Sequence, residues 1–311
     1  MIVYDKGMMK FNSLLEFTDY FKNEATCQEY FESIRFKDGE YCAHCGHGKI
    51  YRMSNARFRC AKCRKDFTIK TGTVFQKSRV SLRKWFMAIY LLSTAKKGIS
   101  SVELAKKVGV TQSTAWFMDH RIREAMKKNG GQLFGTVEVD ETYVGGRERN
   151  KHYSKRFKKT QGRSTLNKTP VIGLVARGGE VRATAVDDVR MRTIEKHIIE
   201  NVKIGSRIYS DTFPSYNKVG KLYNHDSVNH NRRQYVKGEV HTNTIENFWA
   251  TFKRGHYGTY HYMSKEHLQR YIDEFIYRFN TRSEELTDLF ADLVSRVSES
   301  NPLPRKELIN A

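Results

Sequence analysis

Over residues 8–36 the apolar positions Phe11, Leu14, Leu15, Phe17, Tyr20 and Phe21 recur at helical spacing, followed by the run CQEYFESIRF. That period predicts two short helices, each with one buried face. Residues 37–77 break the pattern. They are aromatic and turn-rich, and FRCAKCRKDFTIKTGTVF predicts a small set of β-hairpins. Helical spacing returns over 80–128. Ser81 stands where it can cap SLRKWFMAIYLLSTAKK, and SSVELAKKVGV and TQSTAWFMDHRIREAMKK follow around a turn at Gly109. From 135 the chain turns β-branched: GTVEVDETYVG, TPVIGLVARG, EVRATAVDD and RIYSDT predict strands, with a tight turn at Gly178–Gly179 and a helix in RMRTIEKHIIENV. Beyond 241 the pattern is helical again, through YIDEFIYRFNTR and LTDLFADLVSRV, and SNPLPRKELINA predicts a frayed tail.

These changes of period divide the chain into N-terminal helices (1–36), a cysteine-bearing hairpin module (37–77), a helical segment (78–130), an α/β domain (135–290) and a C-terminal tail (291–311). Within the α/β domain, residues 147–168 are crowded with lysine and arginine and nearly devoid of apolar side chains, as expected of a mobile basic loop.

Charge narrows the partner. The formal net charge is +21, which predicts attraction to a polyanion and strong salt dependence. Apolar content of 39% supports real cores and excludes a disordered chain. No stretch reaches the roughly 18 apolar residues of a membrane span. The first residues lack the apolar core and cleavage site of a signal peptide, so a cytoplasmic protein is expected.

Four of the five cysteines form two CxxC pairs, Cys42 with Cys45 and Cys60 with Cys63, separated by 14 residues. Two such knuckles complete a closed tetrahedral Cys₄ site, so a structural zinc is expected there. His44 and His47 are unneeded because the fourth ligand is already present. Cys27 reads as a small core residue.

The helix-turn-helix pattern of 100–128 offers a DNA-reading element. Ala105 is small enough for a helix crossing, Val110 and Trp116 are expected to pack inside, Gln112 and Ser113 to meet base edges, and Arg121 and Arg123 to meet phosphate. An ordinary helical hairpin is the alternative.

Three acids carry the candidate chemistry. Asp140 and Asp211 each follow a short apolar run at a strand end, and Glu246 lies 35 positions after Asp211 on a helix. Lys253 follows Glu246 by seven positions, two turns along the same face. Carboxylates from two strands and a helix suit two Mg²⁺ ions, with Mn²⁺ as a substitute, for phosphodiester displacement. Taken singly, Asp211 could cap a following helix, and Glu246 could sit on a solvated face. Strand alternation sets Val137, Val139 and Thr142 apart from Asp140, and Glu138 and Glu141 are expected to point away from it; Asp187 and Asp188 are expected to open the helix at Arg190. His241, His256 and His261 surround the third acid as DNA-contact or packing residues, and Tyr143, Tyr257 and Tyr260 suit either base stacking or core packing.

The strings CAHCG with CAKC, VEVDETYVGG, YSDTFPSY and HTNTIENFWATFKRGHYGTYHYMSKEHLQRYIDEFIYRFNTR resemble the DDE transposases of bacterial insertion sequences, in the group with an N-terminal zinc ribbon and an ISXO2-like transposase domain. The resemblance covers about residues 20–285. It implies a ribonuclease H-like α/β fold, a mixed five-stranded sheet with flanking helices, preceded by the zinc ribbon and the helix-turn-helix. Asp140 would sit on the first strand, Asp211 on the fourth and Glu246 on a following helix, with Asn243 as the alternative third position. The implied reaction is Mg²⁺-dependent cleavage at the terminal inverted repeats, then attack of the freed 3′-OH on target DNA. Lys253, Arg254, Lys155, Arg156, Lys158 and Lys159 would hold the double-stranded DNA, and a homo-oligomer would pair the two ends at the nucleoid. A DNA-binding regulator derived from an inactive transposase, or a structure-specific nuclease on the same fold, are the competing readings.

Overall fold

The computed structural model describes residues 10–127, 130–146, 150–156, 167–211, 222–228, 236 and 238–309. The chain forms two compact units, one from Met1–Lys127 with Ser283–Ala311 and one from Lys128–Arg282.

In the first unit, α1 (Leu14–Tyr20) and α2 (Glu24–Arg35) open on Ser13 and Asn23, whose side chains accept from Glu16 and Thr26 amides. These caps satisfy amide donors that the first helical turn leaves without a partner. Next come β1 (Ile50–Met53), β2 (Arg57–Cys60) and β3 (Asp66–Thr68), an antiparallel sheet in that order. Its inner side is made by Phe58 and Phe67, stacked 5.3 Å apart, with Phe36 edge-on at 5.7 Å. Helix α3 (Leu82–Thr94) is capped by Ser81. Helices α4 (Ser101–Val108) and α5 (Gln112–Met126) follow. Between them Gly109 adopts φ 68°, a left-handed conformation that ends α4 at little cost only for glycine.

Three expectations about this unit change. The residues after 283 do not trail from the α/β domain. Helix α9 (Leu286–Glu299) packs on α2, α3 and α5, with Phe290 fully buried among Phe11, Phe17, Phe21, Tyr30 and Phe86 at centroid distances of 5.2–6.1 Å. Nor is the end frayed throughout: α10 (Arg305–Ile309) forms, and Leu303 and Leu308 are buried. Trp116 and Val110 are only half-buried, and Ala115, Met118 and Ile122 supply the inward face of α5 instead.

The second unit is a five-stranded sheet in the order β6 (Val181–Ala185), β5 (Thr169–Ala176), β4 (Thr136–Val144), β7 (Arg207–Asp211), β8 (Asn224–Val228). The first three pair antiparallel, whereas β4, β7 and β8 run parallel. This is the ribonuclease H-like mixed sheet expected from the resemblance. Strand alternation sorts the side chains by face. Val137, Val139, Ile172, Leu174 and Ile208 pack against Ile194, Ile198 and Val202 at α6 (Met191–Asn201). Val144, Val171, Val175, Val181 and Ala183 pack against α7 (Asn243–Gly255) and α8 (Leu268–Asn280), through Ile245, Phe248, Trp249, Phe252, Leu268, Ile272 and Phe275. Among the described residues no helix is long and apolar enough to cross a membrane.

Candidate active site

Asp140 lies on β4, the central strand, and pairs across the ladder with Gly173 of β5. On its other side Glu138 pairs with Tyr209 of the parallel strand β7. The same offset carried two residues further sets Asp140 beside Asp211, on strands spaced by roughly 4.8 Å. The even-numbered residues of β4 face α7, so both acids point toward the helix that carries Glu246.

Glycine at 173 lets that helix come close. A Cβ there would collide with Cζ2 of Trp249 and lie 2.9 Å from Cδ1 of Ile245. The indole thus occupies the space next to Asp140's strand, and α7 is seated by its shape. Glu246 is exposed in the first turn and accepts a 2.8 Å hydrogen bond from the Thr242 hydroxyl. Asn243, one turn earlier, is also exposed, as are Lys253 and Arg254 two turns later.

Among the described residues the three acids do not form a close ligand set like that of the cysteines, but Asp211 and Glu246 are near enough to act on Asp140's charge. Burial holds its carboxyl well above the ordinary carboxylate range, and the like charges of Glu141, Asp211 and Glu246 push the same way, against a hydrogen bond from the Glu141 backbone. Loss of solvation and neighbouring negative charge both disfavour the ionised form. A divalent cation is the species that would relieve both, and hard oxygen donors suit Mg²⁺.

Alternation had been expected to turn Glu138 and Thr142 away from Asp140. Residues two apart share a strand face, so both lie on its side. Glu138 is fully buried and its carboxylate is committed elsewhere. Oε2 accepts from the Thr244 and Ile245 amides at 2.8 and 3.1 Å, and Oε1 from the Thr244 hydroxyl at 3.0 Å and Arg177 Nε at 2.8 Å. His241 Nδ1 stands 3.4 Å from the same oxygen. Of the other candidate residues, His256 is buried, with its imidazole pKa lowered first by burial and then by His261, and Tyr260 donates its hydroxyl to buried Glu274. Both therefore serve packing. Asp188 accepts from the Arg190 amide and the Thr193 hydroxyl at the start of α6, as expected, whereas Asp187 is exposed and pairs with Lys265 at 3.0 Å.

Of the basic residues, Lys155 and Arg156 are exposed, while Lys158 and Lys159, with most of the 147–168 loop, lie outside the described residues. Gln112 and Ser113 are exposed at the start of α5. The phosphate role expected of Arg121 and Arg123 does not fit their surroundings. Arg121 is half-buried and its Nε donates to the Leu303 carbonyl at 3.0 Å; Arg123 is fully buried.

The four knuckle cysteines form a tighter group. Their sulfurs all lie within 4.8 Å of one another, the only such ligand set among the described residues. Cys42 and Cys63 are 3.7 Å apart, and Cys45 and Cys60 3.6 Å. A tetrahedral zinc with bonds of about 2.3 Å needs sulfur separations of about 3.8 Å, so the set fits one ion. Burial opposes ionisation of Cys60, but the Cys63 and Lys62 amides and the neighbouring thiols outweigh it and bring its pKa down to about 6. The His44 amide points at Cys42 in the same way, at 3.3 Å.

Comparison with known proteins adds to this geometry. Residues 132–280 match the family model of the ISXO2-like transposase domain, and residues 22–66 that of the transposase zinc-ribbon domain. The second match supports a structural zinc at the cysteine cluster, and it starts upstream of the expected boundary at 37, taking in α2. The chain is 31% identical to an uncharacterized protein in transposable element ISH50 of Halobacterium salinarum, over 82% of this chain and 90% of that one. It is 33% identical to an uncharacterized transposase-like protein of Haemophilus influenzae, over 32% of this chain and 81% of that one. Among solved structures, the Mos1 strand transfer complex is similar over 69% of this chain and 75% of that chain, at 13% identity and a TM-score of 0.28.

Proposed function

The chain belongs to the ISXO2-like transposase family, and from that premise we propose that it cuts DNA at the terminal inverted repeats of an insertion sequence and joins the freed 3′ ends to target DNA. Asp140, Asp211 and Glu246 are the metal-binding acids in this reading. The observation that carries it is the register of the central strand, which sets Asp140 beside Asp211 under the helix that bears Glu246.

Two Mg²⁺ ions, or Mn²⁺ in their place, would supply the positive charge that stabilises the attacking and leaving oxygens. The protein's own part is placement. Asp140 and Asp211 are fixed by neighbouring strands, and Glu246 approaches from α7, with its carboxylate held by Thr242. A carboxylate binds Mg²⁺ better than a neutral amide, which favours Glu246 over Asn243. Lys253 and Arg254, exposed further along α7, are suited to grip the phosphates beside the scissile bond. In the first step water displaces the 3′ oxygen and leaves a free 3′-OH. In the second that hydroxyl attacks a target phosphodiester, so one phosphodiester is exchanged for another and no external energy source is needed. The helix-turn-helix of α4 and α5 would read the repeat through Gln112 and Ser113. Because two ends must be joined, the working form is a homo-oligomer on DNA, acting at the nucleoid in the cytoplasm.

The test is incubation of the purified protein with Mg²⁺ and duplexes carrying the inverted repeats that flank the gene. Nicks at the repeat tips and joined products, both lost in Asp140→Ala, are the expected result. Nicks without joined products would replace the reading with a nuclease. Tight repeat binding with no cleavage, even in Mn²⁺, would replace it with a DNA-binding regulator.

A further inference from the structure

The three acids come from three separate elements, and one ion pair, between buried Glu138 and half-buried Arg177, touches all three. Glu138 precedes Asp140 by two residues on β4, and its carboxylate receives the Thr244 and Ile245 amides immediately before Glu246. Its partner Arg177, just past the end of β5, donates Nε to Glu138 at 2.8 Å, Nη1 to the Glu239 carbonyl at 2.8 Å and Nη2 to the His241 carbonyl at 3.0 Å. The guanidinium also lies 4.7 Å from the ring centroid of Tyr209, two residues before Asp211 on β7. The chain leading into α7, the first turn of α7 and both acid-bearing strands are thereby referred to one fixed charge pair.

We propose that Glu138 and Arg177 are positioning residues that set the register of Glu246 against Asp140 and Asp211. Amides at a helix start attract a negative charge. Here that charge is supplied by the strand that carries the first acid, so the helix cannot slide or rotate without losing those bonds. A surface helix seated by apolar packing alone would tolerate small shifts, and a shift of about 1 Å is enough to spoil a reacting geometry. Glu138 itself is too fully engaged to serve as a fourth metal ligand.

This role rests on the three-acid reading, and the experiment separates the two. Zinc-loaded, full-length wild type is compared with Glu138→Gln, and with Thr244→Val, which removes only the hydroxyl bond to Glu138. Amide hydrogen exchange is measured without DNA, and binding of Mn²⁺ alone by calorimetry. In Glu138→Gln, exchange at Thr244 and Ile245 should quicken and Mn²⁺ affinity fall by about 10–100-fold, while exchange in the β4–β5 ladder stays near wild type. Thr244→Val should move both readings the same way by less, and it carries the test if Glu138→Gln does not fold. Wild-type exchange in α7 of either folded variant overturns the alignment role, whatever the activity. If exchange quickens and Mn²⁺ affinity is unchanged, Glu138 holds the helix but does not tune the acids, which also overturns it. Failure of wild type to cleave repeat DNA overturns the transposition reading and leaves the exchange result standing.

Discussion

The cysteine cluster and the three acids of the proposed active site would both meet metal, and they are built in opposite ways. The cysteines arrive two by two from tight knuckles, each within three residues of its mate, and their sulfurs already stand at the spacing a tetrahedral ion needs. The sheet beside them has only a small apolar side, Phe58 and Phe67 with Phe36 edge-on, so the ion itself would complete the module. The carboxylates come from two strands and a helix, in a unit with two large apolar layers that hold without them. In the proposed reading, their mutual repulsion is a burden the fold carries for the sake of chemistry. Soft ligands that close a loop make metal part of the fold; hard ligands brought by a finished scaffold would make it part of the reaction.

That contrast predicts opposite responses to loss. Stripping zinc with a chelator, or Cys60→Ala, should unfold the ribbon, at a cost of about 10 kcal/mol judged from small zinc domains. Hydrogen exchange should show protection lost over residues 40–68 and kept in the five-stranded sheet. Asp140→Ala should lower end cleavage by about 10³-fold or more, as loss of a central catalytic group does elsewhere, with repeat binding in a mobility-shift assay unchanged. Gly173→Ala should cost about 1–3 kcal/mol by overpacking against Trp249 and Ile245, seen as a lower melting temperature, together with a higher metal requirement.

The smallest effect has the most telling sign. In metal-free protein at neutral pH, Asp140→Asn should raise the melting temperature. The folded pKa of Asp140 lies above its unfolded value, so its ionised form is penalised in the fold. The penalty is absent below the unfolded pKa and grows as pH rises through the folded one. The advantage of the Asn variant should therefore vanish in acid. A melting temperature lowered at neutral pH would place Asp140 in a supporting role and break the contrast.

Much of this could be read from the chain. Cys-x-x-Cys spacing is a local property, and so are the cap at Ser81 and the turn at Gly109, both found where the sequence puts them. The alternating valines of β4 reveal a buried strand; parity puts Glu138 on Asp140's face, against the expectation drawn from the sequence. What parity cannot reveal is the partner: Arg177 is 39 residues away and the Thr244 amide 106. Periodicity likewise marks Phe290 as inward-facing without saying into which core. The grouping of Asp140, Asp211 and Glu246 drew on resemblance as well as pattern, because an acid at a strand end has several uses.

Phe290 also has a consequence for the protein's synthesis. The aromatic cluster of the N-terminal helices takes its central ring from α9, which is translated after the whole of residues 128–282. A ribosome that stops before Phe290 releases a first unit with an open core, however well the sheet domain has folded behind it. Nascent chains fold from the N-terminus as they emerge, but here the N-terminal helices wait for a segment made only after residues 128–282. Only a molecule read through past α9 closes its own first unit, so premature termination yields a product that is exposed to proteolysis.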